Sequence, residues 1–280
     1  MRKYALASAV LATVAGAFGY VLRWSELSRA FEPDTGLPFA GAASTRALIF
    51  YTLFVLAAAL AVSIVVRKRF SAAPTYRGAF APANTTYLVF SGLICAALLA
   101  SAFVVFARSR GTDIARGQTA VAAFTAVSGL SIFGLAFEAY RGRDFKASLL
   151  YTVVPELFLT FWLLLLYRRN QTNPVRLLYV FQCLAVAASA LAFYFTTSYV
   201  YGRPAPARVV FTHSAAIFLL AVASADPLPA EQRAVFLSLL VFFAVSLARF
   251  VQNLTPRYPR PPRHLKGRKP ETEPEPEPED

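Results

Sequence analysis

Apolar residues along this 280-residue chain gather into eight long runs, each divided from the next by an arginine-bearing polar stretch: approximately 4–22, 47–66, 86–107, 119–140, 147–167, 177–201, 209–225 and 234–251. A hydrocarbon core about 30 Å thick takes about 20 helical residues at 1.5 Å rise. Within it the backbone satisfies its own hydrogen bonds, which at these run lengths favours helices over a barrel. The pattern predicts an all-α fold, a polytopic transmembrane helical bundle of about eight spans.

Two ends of the pattern are conditional. Arg2 and Lys3 precede an apolar stretch containing Ala15-Gly16-Ala17, a small-residue pattern that a signal peptidase recognises, and cleavage there leaves seven spans. An uncleaved first helix is preferred because apolar residues continue from Phe18 to Leu22. In the last run, 234–248 gives only about 22 Å of uncharged helix, and spans when Arg249 snorkels. A re-entrant hairpin at Asp226-Pro227-Leu228-Pro229 is the alternative.

Basic residues orient the bundle. The side holding both termini carries 18 Lys and Arg against 10 on the other, which predicts cytoplasmic termini and a multi-pass protein of the cell membrane. The domains expected are a helical bundle over 1–253 and a disordered cytoplasmic tail over 254–280, basic and then acidic in a Glu-Pro repeat. Bilayer lipid is the partner expected of the bundle, with anionic lipid as a candidate contact of the basic tail segment.

Composition narrows the function classes. The chain is 57% hydrophobic and 15% charged, well below the roughly 25% charged of a soluble domain, so its net charge of +13 reads as membrane topology dispersed over loop ends. Nucleic acid is therefore not an expected partner. Cys95 and Cys183 both lie in apolar runs, and only His213 and His264 offer imidazoles. The sequence lacks the H-E-x-x-H, Walker and G-x-S-x-G patterns, so no metal, cofactor or catalytic residue is expected.

Ionisable and polar groups at membrane depth are the candidate site, since a charge costs at least about 2.5 kcal/mol at the bilayer centre. Glu156 follows Pro155 near the middle of the fifth run, where the proline ring opposes the helical bond to the Tyr151 carbonyl. A kinked helix with a carboxyl group at mid-depth suits a proton, cation or amine; the structural alternative is a hydrogen bond that fixes the bundle. Glu138, His213 and Arg249 share one third of the membrane, so a Glu138–Arg249 ion pair beside His213 is one reading and snorkelling at the interface is the other. Gln182 in run six has helix-to-helix association as its default role. Tyr194, Tyr199 and Tyr201 read as an interfacial aromatic belt.

The longest external loop, 23–46, carries Glu26, Glu32 and Asp34; it reads as a turn-rich cap over the bundle, with attraction of a cation or basic ligand by its carboxylates as the alternative. Phe80-Ala81-Pro82-Ala83 and Pro204-Ala205-Pro206-Ala207 hint at a duplication of four helices plus four.

Pro155-Glu156, the stretch Tyr167-Arg168-Arg169-Asn170-Gln171-Thr172-Asn173-Pro174-Val175 with Tyr179, Gly202-Arg203-Pro204 and Phe31-Glu32-Pro33-Asp34-Thr35-Gly36 together resemble uncharacterised multi-pass membrane proteins of anaerobic Firmicutes. That resemblance implies a bacterial cytoplasmic membrane and carries over no activity. Three function classes remain, in order: a small-solute or ion transporter or transporter subunit, a non-enzymatic membrane sensor or assembly scaffold, and an intramembrane enzyme.

Overall fold

The fold is that of a computed structural model, which describes residues 2–32, 37–81, 85–109, 115–141, 147–171 and 175–257. The tail from residue 258 onward, Asp34, and His264 lie outside the described residues.

Every apolar run becomes a helix. They are α1 (Arg2–Arg29), α2 (Ala43–Arg69), α4 (Thr86–Ser109), α5 (Ala115–Arg141), α6 (Ala147–Asn170), α7 (Val180–Val200), α8 (Pro206–Ala223) and α9 (Ala230–Gln252), with a short α3 (Tyr76–Phe80) between the second and third runs. Seven of them, α2 and α4 to α9, are long and apolar enough to cross a membrane. The protein is thus an all-α bundle of about seven to eight spans.

The conditional runs gain length at their ends. Helix α9 starts at Ala230, inside the polar stretch, and its 23 residues measure about 35 Å, long enough to span with Arg233 and Arg249 towards its two ends. Helix α8 opens with Pro206 in its first turn, where a missing N–H costs nothing, and runs 18 residues. The turn Ser224 to Pro229 joins two helices that are each long and apolar enough to span.

Helices α4 to α9 form a closed ring: each packs on the next in sequence, and α9 returns to α4. Helices α1 and α2 pack on each other and join the ring through α8, with α1 also meeting α9. This arrangement does not divide into two four-helix halves, because α1 and α2 reach the rest of the bundle through α8 and α9. Bulky side chains fill the ring: Phe193 stacks on Phe242 and meets Phe243 edge-on, while Trp162 packs against Phe236 and Phe158.

Two close approaches set the geometry of α1. A Cβ at Gly16 would lie 2.8 Å from the Ala221 Cβ, and one at Gly19 would lie 2.8 Å from Val222 Cγ2 and 2.9 Å from the Phe218 ring. Gly16 and Gly19, one turn apart, are thus the face on which α1 closes on α8.

One end of the bundle is capped by the chain between α2 and α4. Strand β1 (Phe70–Ser71) pairs antiparallel with β2 (Thr255–Pro256), Arg257 N donates to the Arg69 carbonyl, and Asn253 Nδ2 donates to the carbonyls of Ala79 and Ala81. Fixed structure therefore extends past Asn253 to Arg257. At the opposite end, Phe39 N donates to Ala30 O and Glu32 N to Leu37 O, closing the turn after α1.

Candidate functional site

The most heavily charged interior site lies at the end of the bundle where α1 stops. Helix α1 runs on past Leu22 with no Gly or Pro to stop it, placing Arg23 and Glu26 one turn apart on its inward face. Arg23 is fully buried, and each of its three guanidinium nitrogens donates a hydrogen bond. Nε donates to Asp226 Oδ1 at 2.7 Å, Nη1 to Glu26 Oε2 at 2.7 Å, and Nη2 to the Leu177 carbonyl at 2.8 Å. The Phe181 ring lies 5.0 Å from the guanidinium carbon, a cation–π contact.

Asp226 belongs to the turn between α8 and α9, and is itself fully buried. Gln182 Nε2 donates to its Oδ2 at 2.9 Å, and Arg233 Nη2 donates to its backbone carbonyl at 3.3 Å. Burial pushes the Asp226 carboxyl above its ordinary value, with Arg23 and then Gln182 opposing the shift. Glu26, read from the sequence as part of an external loop, is instead an interior helix residue. Its Oε2 is paired and its Oε1 is buried with no hydrogen-bond partner among the described residues.

The other end holds a second, less charged group. His213 on α8 is fully buried among rings: Phe80 stacks over it at 6.4 Å and Phe243 meets it edge-on at 5.3 Å. Phe80 also contacts Tyr76, Tyr199 and Phe250, so α3 delivers one side chain that plugs this end. Burial holds the Tyr76 phenol well above its ordinary range, which keeps it a hydroxyl. The Tyr87 and Tyr199 hydroxyls and both His213 ring nitrogens are buried without a well-formed hydrogen bond among the described residues.

Glu138 and Arg249 do not pair with each other. The three ion pairs among the described residues are Arg23–Glu26, Arg23–Asp226 and Arg108–Glu231. Arg249 Nη1 instead donates to Gln252 Oε1 at 3.3 Å on its own helix, and Glu138 Oε2 is buried without a hydrogen-bond partner among the described residues. The reason is local: a guanidinium at the last turn of α9 finds an amide three residues on.

Pro155 lies inside α6, which continues through it, and Glu156 is half-buried beside Thr197 of α7. Thr197 also lines an open groove of about 400 Å³ with Tyr194, Ser198, Tyr201 and Arg203. Tyr194 and Tyr201 are exposed at this rim, whereas Tyr199 turns inward against Phe80 and Phe250. Of the intramembrane candidates named from sequence, only Gln182 reaches the Arg23 site, where it joins Asp226 beside Glu26 of the expected external loop.

This fold and these faces define an integral membrane protein whose apolar helices contact the lipid bilayer. Comparison with protein-family models, with curated proteins and with solved structures finds no match to the chain.

Proposed function

We propose that the chain is a non-enzymatic membrane sensor or assembly scaffold. The observation that carries this reading is the filled interior of the α4–α9 ring, where Trp162, Phe193, Phe236, Phe242 and Phe243 occupy the space a conducting path needs. Both ends are pinned as well, one by the Arg23 network and the other by Phe80 and the Asn253 hydrogen bonds. With both termini cytoplasmic, as the basic residues imply, the Arg23 end faces outward and the Phe80 plug faces inward. The likeness to multi-pass proteins of anaerobic Firmicutes supports a bacterial cell membrane as its place.

Transport of a small solute or ion is the second reading, favoured by one observation. Glu156 sits half-buried in α6 beside Thr197, and Thr197 reaches an open groove. Proteoliposome flux separates the two readings. The sensor or scaffold reading expects vesicles containing the protein to match protein-free vesicles for alkali cations, protons and small amines. A saturable flux that Glu156→Gln abolishes overturns it and establishes transport.

A further inference from the structure

The Arg23 site sets two carboxyl groups against one buried guanidinium. Three of the four carboxyl oxygens already have donors: Asp226 Oδ1 and Glu26 Oε2 from Arg23, and Asp226 Oδ2 from Gln182. The fourth, Glu26 Oε1, is enclosed and has no donor among the described residues. An unpaired acceptor on a buried carboxylate is costly, and an excess negative charge away from water costs more.

Among the described residues, the groups facing the site set its charge. Helix α1 contributes Arg23 and Glu26, the turn before α7 the Leu177 carbonyl, α7 Gln182 and Phe181, and the α8–α9 turn Asp226. Arg233 from α9 is exposed, and its guanidinium goes to the Asp226 backbone carbonyl, so it donates to neither carboxylate. With both carboxyl groups ionised, the buried set carries one surplus negative charge.

We propose that this site binds one monovalent cationic species, a proton or a small cation of the sodium, potassium or ammonium kind, at Glu26 Oε1. A single positive charge balances the site, whereas a divalent ion overshoots by one. The raised titration of Asp226 accords with the proton form, because the carboxyl groups share Arg23 and a proton taken by either relieves both. The site stands apart from the choice between sensor and transporter, since it concerns what the buried charge holds and not whether anything crosses.

The test uses the full chain in lipid nanodiscs. Thermal unfolding is followed in sodium, potassium, ammonium and choline chlorides at equal ionic strength, and proton uptake on acidification is measured in choline. The proposal expects one of two responses: a saturable rise in Tm with a small cation over choline, or uptake of one proton accompanied by a rise in Tm. Glu26→Gln should weaken that response about tenfold or more. If that variant does not fold, Asp226→Asn, which removes the same surplus charge, takes its place. Equal Tm in all four salts with no proton uptake overturns the proposal, and so does a response that survives the substitution. Cation dependence in wild type identifies the ion; proton uptake in choline alone identifies the proton.

Discussion

Arg23 and Asp226 stand 203 residues apart in the chain, and their side chains meet at 2.7 Å with no exposed surface on either. The pair joins the first long helix to the turn between the last two, and Glu26 and Gln182 extend it to a second carboxyl group and a third helix. A buried ion pair adds modest net stability against a well-packed apolar replacement, yet removal of one partner strands the other.

Arg23→Ala is therefore expected to destabilise the bundle by about 3–5 kcal/mol, since two carboxyl groups lose their guanidinium. Arg23→Met combined with Glu26→Leu and Asp226→Leu should cost less than Arg23→Ala alone. Thermal unfolding in a mild detergent compares the variants; a near-neutral Arg23→Ala would show that the network is solvated.

The pH dependence follows from Asp226. Its carboxyl is raised above the ordinary 3.8, so between that value and the folded one the native state binds more protons than the unfolded state. Stability from this group is complete below 3.8 and declines as pH rises through the folded value. Midpoints measured across the acid range should fall with rising pH in wild type and fall less in Asp226→Asn. An opposite slope would mean that Arg23 outweighs burial.

The contrast between what the sequence announces and what it conceals lies in these residues. Eight runs are legible because lipid demands length and apolarity in each helix independently. Gln182 is legible as a polar group that seeks a neighbouring helix. Arg23 and Glu26 are hidden because a charge after an apolar run looks like the end of a span. The cue that α1 continues is the absence of Gly or Pro from Leu22 to Phe31, with the three-residue spacing of Arg23 and Glu26. Asp226 gives no local sign at all, since its partner is supplied by tertiary packing. Glu138 and Arg249 share a depth but not a partner, which one-dimensional depth cannot resolve. Phe80 reads from the sequence only as part of an Ala-Pro stretch between two runs, until α3 turns it inward.

The contact between α1 and α8 offers a reciprocal test. Gly16→Ala places a methyl 2.8 Å from the Ala221 Cβ, so one helix has to move. A loss of about 1–3 kcal/mol is expected for such overpacking. Ala221→Gly removes the opposing methyl, and Gly16→Ala with Ala221→Gly should recover most of the loss. Unfolding midpoints of the two singles and the double make a complete cycle; simple additivity would show that the two positions do not touch.

The Phe80 plug can be probed for both packing and access. Phe80 is fully buried and touches Tyr76, Tyr199, His213 and Phe250, so Phe80→Ala opens a cavity at the centre of four rings. The cost expected for truncating a buried phenylalanine is about 3–5 kcal/mol. Access is read separately through His213→Cys, with Cys95 and Cys183 replaced by alanine so that one thiol remains. A polar maleimide should leave that thiol unmodified while Phe80 is present and label it after Phe80→Ala, because the ring stacked over position 213 is then gone. Restoring bulk with Phe80→Leu should slow labelling again. Equal labelling with and without Phe80 would mean that reagent reaches position 213 by another route, and that the α3 segment does not seal this end of the bundle.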